Sequence, residues 1–200
     1  MIDDSVPWKE SLLRVADSLE RRTRQRRWTE RTSYLLERDV MNAAYAIRKL
    51  TEARKISDGM AAETVRARRH PLTARPVDIW NRDNFLEHYD MQQTQLVRLK
   101  LSEFCNQVIH SWVFMRSVTG TSPHRFDGVY VSSDRARKMH VDFISADALV
   151  KVIRGVGLDN IVSLRWQRDP NGDIRITEAI READMTPTLA GRRGERISPS

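Results

Sequence analysis

The chain has 200 residues, of which 40% are hydrophobic and 30% charged, with a formal net charge of +7. That length suits one domain, or one domain with a smaller module, and is enough to bury a core. Cys105 is the only cysteine, which excludes an internal disulfide and any multi-cysteine metal site.

Only six of the 34 basic residues are Lys. Arg offers a planar, bidentate fork that suits phosphate, so the bias fits a nucleic-acid partner. A GC-rich genome, with its many Arg codons, accounts for it equally well. The start MIDDSVPWKE is acidic and unlike a signal peptide, and no run reaches the roughly 18 apolar residues of a membrane span. The expectation is a soluble, cytoplasmic chain with no membrane partner.

Ser5 and Pro7 suit a helix start, and Trp8, Leu12, Val15, Ala16 and Leu19 share one face of the helix that follows. The run RRTRQRR (21–27) ends this helix or links it to the next. Residues 32–57 lack Gly and Pro, and Leu36, Val40, Ala43, Ile47 and Leu50 form an a/d-like stripe. This predicts a second long helix, stopped by Asp58-Gly59 and paired antiparallel with the first. Residues 61–69 suit a short helix, 71–80 an extended loop, and 84–89 a helical turn. Alternation over 95–101 predicts a strand, with 87–91 as its hairpin partner.

Ser102 is read as the cap of an apolar helix running to Val118. TGTSPH (119–124) is a turn-rich break. Two strands follow, at 128–132 and 138–144, then a helix capped by Ser145 or Asp147 and ended by Gly155 and Gly157. Residues 161–168 and 174–178 flank DPNGD, a hairpin turn. DPNGD lacks the glycine and glutamate positions of a calcium loop. The expected fold is α+β. An N-terminal helical part (1–118) is built on the long helix pair with a small hairpin. A ββαββ module (125–180) and a disordered tail (181–200) follow.

Two Arg clusters stand out as nucleic-acid candidates. Arg21, Arg22, Arg24, Arg26 and Arg27 lie beside Trp28, and Arg66, Arg68 and Arg69 precede His70. Guanidiniums beside an aromatic ring hold phosphate and stack on bases, although charge runs are commonly solvated faces. No phosphate loop, dinucleotide fingerprint or HExxH pair occurs, so neither cofactor nor metal is expected. His140 and Asp142 face one side of a strand, where they read as a surface pair; a metal there needs a third ligand such as His124. In the helix at 102–118, Ser102, Asn106 and His110 form a polar stripe. Either it is a buried clasp to backbone or to the second helix, or it lines a cleft or dimer interface. In a cleft, His110 is placed to act as an acid or base.

The helix pair, followed by a helix with Asn106 and His110 four apart, resembles the HEPN superfamily. Members with ribonuclease activity carry an Arg-to-His motif, often with Asn directly after the Arg. Here Cys105-Asn106-Gln107-Val108-Ile109-His110 matches at Asn106 and His110, and Cys105 stands where the Arg belongs. The resemblance implies an RNA-directed protein, with His110 and Asn106 as catalytic residues of a metal-independent endoribonuclease. Arg38 or Arg48 would then replace the missing Arg. It equally allows an inactive RNA-binding relative. The alternative is a non-enzymatic interaction protein that forms a homodimer through its long helices.

Overall fold

The structure is a computed structural model and describes residues 4–119, 125–172 and 174–181. Five antiparallel strands form one sheet in the order β2-β1-β5-β4-β3: β1 (Thr64–Pro71), β2 (Gln95–Lys100), β3 (Ser111–Thr119), β4 (Arg125–Ser133) and β5 (His140–Ser145). Strands from both sides of residues 120–124 therefore lie in one sheet. A separate hairpin joins β6 (Ile161–Arg168) to β7 (Ile174–Arg181). The helices are α1 (Val6–Arg22), α2 (Glu30–Glu52), the single turn α3 (Asp58–Ala61), α4 (Leu101–Ile109) and α5 (Ala146–Leu158).

The main core lies between helices and one sheet face. Leu12, Leu36, Ile47, Phe104, Leu149 and Ile153 meet Val65, Ala67, Val129, Val131 and Ile144, all buried. Such residues contribute on the order of 2 kcal/mol each on burial. α1 lies mainly against α5, and α2 mainly against α4. Gly157 explains the first contact, because a Cβ there would come within 2.7 Å of Leu13 and 3.2 Å of the Lys9 carbonyl. Gly155 and Gly157 thus sit inside α5 and do not end it. Ser145 is its cap, accepting from the Ala148 N–H at 3.2 Å.

The second helix is shorter than expected. Thr29 and Thr32 form its capping box, and it stops at Glu52, before Asp58-Gly59. Its apolar stripe runs out at Leu50. Arg54 then takes a left-handed conformation, φ 55°, while the Lys55 N–H reaches back to the Leu50 carbonyl. Asp58-Gly59 falls within α3, capped by Ser57.

Four further expectations are corrected. Residues 64–71 form a strand and not a helix, because Val65 and Ala67 alternate with exposed Arg66 and Arg68 at period two. β1, not 87–91, is the partner of β2; only Tyr89 pairs near there, in a single bridge with Leu72. α4 ends at Ile109, and Ser111–Thr119 is a strand. A segment apolar on every side reads equally as a buried helix or a strand covered on both faces. Here Trp112, Val113, Phe114 and Val118 favour the strand. Ser102 lies within α4, and the Lys100 N–H donates to Glu103 at 2.9 Å at its start.

A helical turn forms at Arg82–His88, overlapping the expected 84–89, and β6 and β7 pair as a hairpin around DPNGD, of which Asp173 lies outside the described residues. Gly172 takes φ +89°, which only glycine adopts without strain. No helix among the described residues is long and apolar enough to cross a membrane. The tail expected from residue 181 lies outside the described residues beyond Arg181.

Candidate nucleic-acid interface and adjoining cleft

The sheet's second face, away from the main core, is covered over part of its width. Val77, Phe85 and Tyr89 from the segment after β1 pack on Val113 and Val141, with the Tyr130 ring 5.6 Å from Phe85. Toward the β2 edge this cover ends. In the β1–β2 register, Arg66 faces Arg98 and Arg68 faces Leu96, so all four share the open face. Leu96 is 82% exposed. The Arg68 guanidinium lies 4.3 Å from the Phe143 ring centre, and Phe143 packs on Tyr130 at 5.1 Å. This stack fixes the guanidinium plane and leaves its N–H edges for an oxyanion. Gly128 makes the stack fit, because a Cβ there would collide with the Ile144 carbonyl and the Phe143 ring. A shallow hollow of about 350 Å³ lies over Arg66, Arg68, Leu96 and Phe143.

Arg69 points to the opposite face. It forms a bidentate pair with Asp142, at 2.8 and 2.9 Å, and Asp142 is fully buried. Gln107 of α4 completes the knot: its amide N–H approaches Asp142 at 3.4 Å, and its carbonyl accepts from the Ser133 N–H at 2.9 Å. His140 Nε2 lies 3.6 Å from Asp142, beyond hydrogen-bond range, and is buried without a partner. Burial pulls the His140 imidazole below its ordinary pKa, against the raising effect of Asp142. The pair read as a surface feature is therefore an internal one. Among the described residues no third His, Cys, Asp or Glu joins it to make a metal site, and His124 lies outside them.

Beside this knot, between β2, α4 and the turn at Ala136–Lys138, opens a cleft of about 580 Å³. Arg69, Arg135, His140, Glu103 and Asn106 supply its polar wall, and Arg98 borders it from β2 with its side chain on the open face. Val97, Leu99, Ala136 and Met139 supply its apolar part.

The polar stripe of α4 is divided. Asn106 lines the cleft and accepts from Arg48 Nη1 at 3.3 Å. His110 is not part of the lining. It ends α4, its N–H bonded to the Asn106 carbonyl, with an exposed side chain. Neither residue is a core clasp; Gln107 has that role. Cys105 is core, and burial pushes its thiol up to about 12, so it holds no phosphate and attacks nothing at neutral pH.

The first Arg run is also divided. Arg22 is taken up by Asp39 at 2.8 Å, and Arg38 binds the other carboxylate oxygen at 2.7 Å. Arg21, Arg24, Arg26 and Arg27 are exposed. Trp28 is no free stacking platform: it packs on Phe126, and Arg116 covers its ring at 4.5 Å. His70 is buried behind the second cluster. The apolar stripe of α2 is spent in the chain's own core, leaving Tyr34 and Tyr45 exposed.

Arg98, Arg135 and Gln107 carry much of this geometry and were not singled out from the sequence. For Arg98 a signal exists, since Leu96, Arg98 and Lys100 alternate as Arg66 and Arg68 do. The other two depend on tertiary placement. Comparison of the chain with protein-family models, with curated proteins and with solved structures finds no match.

Proposed function

We propose that the protein binds single-stranded RNA across the open sheet face. One observation carries this reading: Arg66, Arg68 and Arg98 converge on an uncovered face, with Arg68 held in place by Phe143. Three guanidiniums at strand spacing suit successive backbone phosphates, and exposed Leu96 offers an apolar contact for a base. The exposed Arg21, Arg24, Arg26 and Arg27 add sequence-independent attraction. Binding of a fluorescent oligoribonucleotide, followed by anisotropy, tests it. The three contacts of the open face contribute about −2 to the log–log salt slope, at about 0.7 per phosphate, and the other exposed arginines steepen it. Salt-insensitive binding, or none, would sink the proposal.

A second reading, cleavage by a HEPN-like site, has the Arg48–Asn106 contact in its favour. Arg48 brings to Asn106 the positive charge that Cys105 lacks. Incubation with total RNA in EDTA tests it. Cleavage lost in His110→Ala supports a metal-independent ribonuclease, and absence of cleavage removes it.

A further inference from the structure

The five-stranded sheet ends in two edge strands, and they differ in what guards them. β2 carries Arg98 and Lys100, both exposed, and charges along an edge discourage pairing with another chain. β3 is nine residues long, against the roughly 5–6 of a common strand. Among the described residues it pairs on one side only, with β4. Its one charged residue is Arg116, which lies over the Trp28 ring at 4.5 Å. Neither a free charge nor a proline guards its outer edge.

Apolar surface flanks that edge. Trp112 is 43% exposed, Met115 41% and Val118 36%. The extra residue that β3 carries relative to β4 is Trp112, at its start, and residues 113–119 continue without another. A long, apolar edge with unpaired backbone groups is a template for a further strand. The three exposed side chains are evenly spaced, with Trp112 and Val118 three residues to either side of Met115. That spacing is symmetric, as pairing with an identical strand requires.

We infer that β3 pairs antiparallel with β3 of a second copy of this chain, about a two-fold axis at Met115, joining the two five-stranded sheets into one. That register sets Met115 against Met115 of the copy, Val113 against Ser117 and Phe114 against Arg116, and brings Trp112 level with Val118. No two arginines then stand opposite each other, where like charges would repel. The long helix α2 does not supply the contact instead, because its apolar stripe lies in the chain's own core. The inference goes beyond the RNA-binding reading and does not depend on it, since the open Arg face lies at the other edge of the sheet.

The test is sedimentation velocity of the full chain from about 1 to about 100 μM. The expected species has twice the chain mass of 23.3 kDa. Met115→Lys sets two like charges together on the axis and is expected to weaken the dimer about tenfold or more, with an unchanged circular dichroism spectrum. Met115→Glu is expected to do the same, and an equal mixture of the two variants to restore the dimer. Val118→Lys, away from the axis, is a second disrupting variant should Met115→Lys fail to fold. Gln95→Lys, on the β2 edge, is expected to leave the dimer intact. A wild-type chain that stays monomeric at about 100 μM overturns the inference. So does a dimer that Met115→Lys and Val118→Lys leave unchanged, or one that Gln95→Lys dissolves. Failure of RNA binding alone leaves these readouts untouched.

Discussion

Replacing Asp142 by Asn tests the structural basis of both faces. Asp142 is fully buried and holds Arg69 by two hydrogen bonds, at 2.8 and 2.9 Å, with Gln107 at 3.4 Å. The amide removes the charge and turns an NH2 group toward a guanidinium that has only N–H groups to offer. Breaking a buried ion pair from one side costs about 3–5 kcal/mol. Arg69 keeps 28% of its side chain exposed, so water compensates part of the loss and the lower end, about 3 kcal/mol, applies. In a chain of this size that lowers the melting temperature by about 6–12 °C. Urea unfolding followed by circular dichroism measures it. A loss below about 1 kcal/mol would refute the reasoning, because it is the value of a screened surface pair. The double variant Arg69→Met with Asp142→Leu removes both charges and is expected to recover most of the stability.

Other outcomes follow from the same geometry. Gly128→Ala places a methyl group against the Ile144 carbonyl and the Phe143 ring, so it is expected to cost about 1–3 kcal/mol, read by thermal melting. An unchanged melting temperature would show that β4 and β5 are not packed so closely. Ser145→Ala removes the cap of α5 and is expected to cost about 1 kcal/mol; Ser145→Asp, which caps as well, is expected to cost little. His140 has its pKa lowered on folding, so the unfolded chain binds its proton first as pH falls. Stability tied to this residue is therefore complete above its ordinary value of 6.5 and is lost as pH drops below it. His140→Gln is expected to flatten that part of the stability–pH curve, and a wild-type curve no steeper than the variant's would contradict the assignment.

Much of the fold is legible where a local rule agrees with the packing. Ser145 caps α5 by its own side chain, and DPNGD turns the β6–β7 hairpin through Gly172. The apolar face of α1, with Leu12, Ala16 and Leu19, is buried as its spacing requires. The rest turns on competition between periods. Val65, Ala67, Arg66 and Arg68 satisfy period two, but a short helix is equally easy to draw through so many arginines. Trp112 to Met115 resume the apolarity of α4 after only His110 and Ser111, so the change of period is easily missed; in the structure Val113 and Phe114 pack on opposite faces, as a strand requires. The candidate site was half visible for the same reason. Arg66, Arg68 and Arg69 read as one run, but Arg69 points to the opposite face, where Asp142 holds it. That separation follows from strand geometry and disappears if the segment is drawn as a helix. Gln107 sits beside Asn106 in sequence, yet it is the one that reaches Asp142, which no linear pattern reveals.

The central claim is that the open sheet face holds an RNA backbone through Arg66, Arg68 and Arg98. The most direct measurement compares the affinity and salt slope of single-stranded RNA binding in the wild type and in the double variant Arg66→Gln/Arg68→Gln. Two lost phosphate contacts should reduce the slope by about 1.4 and weaken binding at low salt by about tenfold or more. Equal affinity and equal slope in the two proteins, with the fold intact by circular dichroism, would contradict it.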